Sequence, residues 1–372
     1  CTWPFGDRKP GQRKTFKDRS PANGACIDNP TSEDHMKTKL MTVAVATAMA
    51  AAAAGAATLD DVKAAGSLKC GVSQGLPGFS ATNDAGEWTG IDVDYCKALA
   101  AAVLGDANAV EYVSLSAKDR FTALSSGEID VLSRNTTWTI TRDTDLGITF
   151  VGVNYYDGQG MMVPAGLGIK SALELDGATI CTNTGTTTEL NITDYFQQHD
   201  MTFELVALEN SDEVIAAYGA GRCDVFTTDR SGVAAERLKL ADPEAHVVLP
   251  ETISKEPLGP SVRAGDEQWM KIAKWVLFGV IEAEEYGITS ENVEEMMSSE
   301  NPSVQRILGV GDNNYGASLG LEADFIKKAV EQVGNYGEMY ERNVGPDTPL
   351  KLDRGVNNLW NNGGFMYAPP IR

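Results

Sequence analysis

Nine residues, Arg134 to Arg142, read RNTTWTITR and follow directly on the strand-like run EIDVLS. Two guanidinium groups, an amide and a set of hydroxyls are crowded where a core strand should simply end. Such a group of donors suits an anion. A guanidinium suits a carboxylate above all, because its planar fork matches two oxygens. Arg142 is the candidate clamp, with Thr137 adding a hydroxyl and Asn135 an amide or a carbonyl. The competing reading of Arg142 is a surface ion pair with Asp143 or Asp145. A second donor site lies in TNTGTTTEL. Thr186 and Glu189 have capping-box spacing, so a helix should start near Thr187, and its first amides have no intrahelical partner and carry partial positive charge. An ordinary capped helix would need no ligand, and the Gly-Lys-Ser/Thr of a phosphate loop is missing. Asp229, at the end of CDVFTTD, is the one acid among these polar strand ends. It could hold an ammonium, or it could cap the helix RSGVAAERLKLA. Donors on one side and a carboxylate on the other describe a receptor for a zwitterion. Hydrogen bonds to charged groups contribute roughly 1.5–3 kcal/mol each. Three or four of them suffice for micromolar binding after ordering costs.

The surrounding pattern supplies a frame for such a site. From Ser67, strand-like SLKCGV, the helical GIDVDYCKALAAAVLG, VEYVSL, the helical SAKDRFTALSSG and EIDVLS alternate with short glycine-bearing turns. That alternation predicts a mostly parallel α/β sheet. It restarts after residue 165 with ATICT, TTTELNITDYFQQHD, FELVAL, SDEVIAAYGAG and CDVFTTD. SGEIDVL (126–132) echoes AGRCDVF (220–226), which suggests two lobes built on one plan. Two Gly- and Pro-punctuated segments, 158–166 and 254–265, read as crossings between the lobes and a natural hinge. The expected organisation is lobe 1 over 58–160, lobe 2 over 161–256 with crossings at its ends, and 257–372 returning to lobe 1 with a C-terminal helical extension. Ligands in open α/β sheets bind at the carboxyl ends of strands, which gathers the three polar stretches around one cleft.

Residues 1–35 are basic and Pro/Gly-rich, and read as a translated leader or artefact. Residues 36–57, MKTKLMTVAVATAMAAAAAGAA, have the lysines, apolar run and small-residue end of an export signal cleaved near Ala57. The expected location is the periplasm, with no direct membrane insertion. The chain has a formal net charge of −21, and residues 1–57 are net positive, so the remainder is more acidic still. That balance argues against nucleic acid or anionic lipid as partners. Cys70, Cys96, Cys181 and Cys223 are an even set in an exported chain, which suggests disulfides. Cys181–Cys223 is favoured, because both lie on adjacent expected strands; Cys70–Cys96 would join a strand to the next helix. Four buried thiols are the alternative.

From about Leu59 to the end the chain resembles the periplasmic solute-binding proteins of polar amino-acid ABC importers. The motifs are CGVSQGLPGFS, GIDVDYC, LSAKDRFTALSSGEIDVLSRNTTWT, TNTGTTTELN, GRCDVFTTDRS, NPSVQRILG and the tail VGNYGEMYERNVGPDTPLKL to GGFMYAPPIR. The resemblance implies the two-lobed type II periplasmic binding fold with two hinge strands. It implies a monomer that binds free L-amino acids and delivers them to a membrane permease. It places the clamp for the α-carboxylate on Arg142, its polar partners on Asn135 and Thr137, a helix-start threonine on Thr187 and the ammonium-binding acid on Asp229. Relatives selective for basic amino acids sandwich the side chain between aromatics, where this chain has Leu76 and Ala117. A roomier, less selective pocket follows, lined by Leu76 and Phe79; Trp138 and Phe79 also suit core packing. No cofactor or metal is called for. The alternative from another class is a periplasmic dehydratase-like or hydrolytic enzyme on the same fold. His199 and His246 lie away from these motifs, and no nucleophile–base pair stands out.

Overall fold

The computed structural model describes residues 58–372; the leader and export-signal readings fall outside that range. Lobe 1 opens with α1 (Thr58–Ala65) and β1 (Leu68–Val72). A short ribbon, β2 (Ala81–Thr82) and β3 (Trp88–Thr89), leads into α2 (Ile91–Leu104), β4 (Val110–Ser114), α3 (Arg120–Ser126), β5 (Val131–Leu132), α4 (Ile140–Asp145) and β6 (Ile148–Phe150). β7 (Tyr155–Asp157) crosses to lobe 2, which comprises β8 (Gln159–Pro164), β9 (Ala178–Asn183), α5 (Thr187–Gln198), β10 (Phe203–Leu208), α6 (Ser211–Gly219), β11 (Val225–Asp229), α7 (Arg230–Arg237) and β12 (His246–Val248). β13 (Glu256–Leu258) returns the chain and β14 (Ser261–Arg263) re-enters the first sheet. Helices α8 (Glu267–Glu285), α9 (Val293–Met296), α10 (Pro302–Leu308), α11 (Phe325–Val333) and α12 (Tyr336–Asn343) follow. Gly105 and Gly127 end α2 and α3 in the left-handed conformation that favours glycine.

The sheets run β4-β1-β5-β14-β6 and β10-β9-β11-β8-β12. In each, three parallel strands meet an antiparallel one that arrives from the hinge, β14 against β5 and β8 against β11. The expected two-lobed α/β architecture is therefore present, and the lobes share one plan. The short sequence echo has a structural cause. Lys69 N donates to the Asp130 carboxylate at 2.9 Å, and Asp130 N donates back to Lys69 O at 2.9 Å. Thr179 and Asp224 repeat the exchange in lobe 2 at 2.9 and 2.8 Å. In both lobes the repeated aspartate locks the first parallel strand to the third.

One crossing lies earlier than the sequence suggests. β7 pairs antiparallel with β13, Asp157 opposite Glu256, and these two strands are the hinge. Residues 159–164 are instead a buried strand between β11 and β12. An apolar, glycine-bearing run fits an interior strand as well as a crossing, so composition alone did not separate them. Beyond the hinge the two chains pass very closely: a Cβ on Gly259 would lie 1.9 Å from Gly152 O.

The C-terminal extension completes lobe 1 and backs the hinge. α11 packs along α2, and Arg342 and Asn343 both donate to the buried Asp94 carboxylate. Tyr336 Oη donates to Asn154 O, and Tyr340 stacks on Tyr155 of β7 with ring centroids 6.0 Å apart. The buried Asn357 side chain accepts from Tyr156 N and donates to Tyr156 O, pairing with the hinge strand as a neighbouring strand would.

Both expected disulfides are formed, Cys70–Cys96 and Cys181–Cys223, so the alternative of four free thiols does not hold. The second spans 42 residues within lobe 2. Replacing Cys181 and Cys223 together by serine should lower the unfolding free energy by about 3 kcal/mol in denaturant melts. A loss under about 1 kcal/mol would show that the loop is already restrained in the unfolded chain.

Candidate functional site

The polar strand ends of both lobes converge on one cleft. Across its mouth Ser116 Oγ lies 3.4 Å from Glu209 Oε1, and Lys118 Nζ lies 3.7 Å from the same carboxylate. A Cβ on Gly185 would sit 3.1 Å from Lys118 Cα, so the lobe 2 loop lies directly against lobe 1. At the base, Thr137 Oγ1 and Thr187 Oγ1 are 3.4 Å apart. The cavity between takes Gln74, Leu76, Ala117, Arg120, Arg134, Asn135 and Thr137 from lobe 1. Lobe 2 supplies Thr187, Thr188, Phe226, Thr228, Asp229 and Glu236.

The lobe 1 side is cationic and buried. Arg120, Arg134 and Arg142 are all buried. Each has a neutral acceptor: Arg120 Nη1 donates to Thr136 Oγ1 at 3.3 Å, Arg134 Nε to Leu115 O at 3.0 Å and Arg142 Nη1 to Thr137 O at 2.9 Å. Arg120 and Arg142 also stack against the Phe121 ring, 4.8 and 5.1 Å from its centroid. Desolvation pulls all three below the ordinary arginine value, Arg120 well below it and Arg134 to about 10. Arg120 Nε, Asn135 Oδ1 and Gln74 Oε1 are buried without a hydrogen-bond partner among the described residues. All three belong to side chains on the cavity wall. Buried polar groups are ordinarily satisfied, so their convergence marks a site built to receive polar atoms.

Asn135 holds a left-handed backbone, φ 33°, which costs a non-glycine residue of order 1–3 kcal/mol. Asp92 fixes it. Asn135 N donates to Asp92 Oδ2 at 2.8 Å, while Ser133 Oγ and Asn154 Nδ2 donate to Asp92 Oδ1 at 3.1 and 3.3 Å. The motif GIDVDYC thus supplies, from the start of α2, the acid that aims Asn135 into the cleft.

The opposite side is acidic. Asp229 precedes α7, yet its side chain caps no amide of that helix. Its carboxyl is pushed well above the usual carboxylate range, first by burial and then by the charges of Asp157 and Glu256; the Asn135 amide and Arg120 oppose the shift. Asp157, on β7, is raised to about 6 by the same burial although Ser231 donates to it through both N and Oγ. Asp229 is therefore not the only acid here: Glu236, two turns along α7, also lines the cavity and is raised to about 7 by desolvation. The sequence reading missed Glu236 because it lies within a helix and not at a strand end.

The other expected residues divide. Asn135, Thr137, Thr187, Asp229 and Leu76 are brought together on the cavity wall, and Ala117 with them. Arg142 makes no ion pair with Asp143 or Asp145; Asp143 instead accepts from Phe150 N. Arg142 stands behind Thr137, and the guanidinium groups on the wall itself are Arg120 and Arg134. Phe79 is a correction: it is 1% exposed and packs edge-on to Tyr155 at 5.2 Å, inside the lobe 1 core. Trp138 stacks on Phe150 and is not on the wall. The capping box is also corrected. Thr186 Oγ1 donates to Asn183 O, and Glu189 reaches past it to Gly185 N at 2.7 Å. No side chain then caps the first amides of α5, which open toward the cavity at Thr187 and Thr188. Arg120 could have been suspected as a cation at the start of the helix KDRFTAL, but nothing local distinguishes it from a surface charge.

Comparison with known proteins bears on the family and the fold. The family model described as bacterial extracellular solute-binding proteins, family 3, matches residues 68–292. The chain is 56% identical over 341 residues to the general L-amino acid-binding periplasmic protein AapJ of Rhizobium johnstonii, covering 91% of this chain and all of that protein. It is 53% identical over 318 residues to the glutamate/glutamine/aspartate/asparagine-binding protein BztA of Rhodobacter capsulatus, covering 85% and 94%. Among solved structures, a Brucella ovis ABC transporter/periplasmic binding protein with glutathione bound superposes with a TM-score of 0.84 at 54% identity, covering 85% of this chain and 100% of that one.

The raised carboxyl of Asp229 has a measurable cost. Asp229 ionises more readily in the unfolded chain than in the fold. Its stabilising contribution is complete below the ordinary carboxylate range and is lost as pH rises through its folded pKa. Asp229→Asn should therefore raise the thermal midpoint of the ligand-free protein by about 2 °C or more at pH 8 and by less at pH 4. An unchanged or lower midpoint at pH 8 would contradict the assignment.

Proposed function

Because the chain belongs to the bacterial extracellular solute-binding proteins of family 3, we propose that it is the amino-acid-binding component of an ABC importer. It takes free L-amino acids in the interlobe cleft and delivers them to a membrane permease from the periplasm. One observation carries the reading. Buried guanidinium groups with neutral partners face a buried carboxyl across the cavity between the lobes. The ligand α-carboxylate meets the arginine side, where Arg120 and Arg134 line the wall and Arg142 stands behind Thr137, together with the uncapped amides of α5. The α-ammonium meets Asp229. Because groups of both lobes hold the ligand, it has more contacts in the closed state than in the open one, and that difference drives closure.

The side-chain end supports broad selectivity. Leu76 and Ala117 line it in place of larger rings, and the unpartnered Arg120 Nε offers a donor to a polar or acidic side chain. Relatives named for general L-amino acids and for glutamate, glutamine, aspartate and asparagine are consistent with such a pocket. The enzyme alternative gains nothing from the cavity. His246 pairs with Tyr218 Oη, and His199 ends α5 at its far end.

Titration calorimetry against a panel of L-amino acids should give micromolar or tighter binding for several polar members, each recovered unmodified. Arg142→Ala and Asp229→Ala should each weaken binding by about 100-fold. Binding of one amino acid alone would refute the breadth, full affinity in either variant would remove that residue from the site, and turnover of the ligand would favour an enzyme.

A further inference from the structure

Glu256 lies on the returning hinge strand and is 2% exposed. It is not on the cavity wall; it sits behind the two threonines that are. Four neutral donors converge on its carboxylate. Thr137 Oγ1 and Thr187 Oγ1 donate to Oε2 at 2.5 and 3.0 Å. Asn191 Nδ2 and Ser254 Oγ donate to Oε1, both at 2.6 Å. Thr137 belongs to lobe 1, Thr187 and Asn191 to lobe 2 and Ser254 to the returning segment, so one carboxylate collects protons from every part that meets at the hinge.

A hydroxyl has one proton. If Thr137 and Thr187 give theirs to Glu256, each keeps only lone pairs for any other contact. The threonine–threonine separation of 3.4 Å is longer than either contact to Glu256, and a charged acceptor outcompetes a neutral one. Both hydroxyls then meet the cavity as acceptors. We propose that Glu256 is a positioning residue that fixes the polarity of the threonine pair, so that Thr137 and Thr187 accept from the ligand ammonium instead of donating to its carboxylate. An ammonium has three N–H donors. Asp229 and the two threonines, all lining the cavity, supply three acceptors. The carboxylate is left to the guanidinium groups and the α5 amides. This inference rests on the amino-acid-binding reading above.

The test compares a ligand with its deaminated counterpart: L-glutamate against glutarate, and L-glutamine against glutaramate, by calorimetry or competition. Glu256→Gln removes the charge and one of the two acceptor oxygens, so the four donors no longer all find an acceptor on this side chain and the threonine hydroxyls are released to turn toward the cavity. The preference for the amino acid over its deaminated form should fall about tenfold. Thr187→Val, which leaves Glu256 in place and does not depend on the folding of the hinge variant, should weaken the amino acid by about tenfold and its deaminated form little. Thr187→Ser should restore the preference. If either variant weakens both ligands in parallel, with the preference constant within about twofold, Glu256 only supports the hinge and the proposal is overturned while the functional reading stands. If the wild-type protein binds neither L-glutamate nor L-glutamine, both fall.

Discussion

The arrangement depends on charges that the fold buries without neutralising them. A guanidinium group removed from water costs several kcal/mol unless an anion and well-placed acceptors compensate it. Arg120, Arg134 and Arg142 have a carbonyl or hydroxyl each, and the aromatic face of Phe121 serves two of them. Across the cavity Asp229 is pushed toward its neutral form by burial and by neighbouring acids. The two halves are left unpaired with each other, because a salt bridge between them would fill the space a ligand needs. A zwitterion supplies both missing partners at once.

Holding such a site requires a rigid frame and a defined joint. Each lobe is a five-stranded sheet with its third strand locked to its first by an aspartate, Asp130 or Asp224. The β7–β13 pair is the joint, and the C-terminal extension braces it through Asn357, Tyr336 and Tyr340. Glu256 and Asp157, opposite one another on the two hinge strands, link the joint to both sides of the cleft. The two hinge strands thus carry residues that touch both lobes at the base of the cavity.

Much of this was legible in the sequence, for identifiable reasons. Strand–helix alternation and the glycine stops at Gly105 and Gly127 are local signals, and the structure keeps them. Asn135, Thr137, Thr187 and Asp229 were found because strand ends in α/β sheets face the ligand side. What was lost depends on tertiary contacts. Arg120 and Glu236 sit in helices, and only packing turns their charges inward. Phe79 looks like a pocket aromatic until the core is assembled around it. The crossing was expected at 158–166, which covers the interior strand 159–164, and not at 155–157, because buried strands and crossings share one composition. Glu256 carries no motif; its importance comes from four donors that are remote in sequence, apart from Ser254.

The most direct measurement is the proton balance of binding, obtained by titrating one amino acid into the protein in buffers of different ionisation enthalpy. The Asp229 carboxyl is pushed above the ordinary carboxylate range before binding and is drawn toward its charged form by a ligand ammonium, so association should release protons at pH values above that ordinary range and up to its raised folded pKa, and Asp229→Asn should abolish most of that release. Proton uptake, or a release that Asp229→Asn leaves intact, would contradict the account.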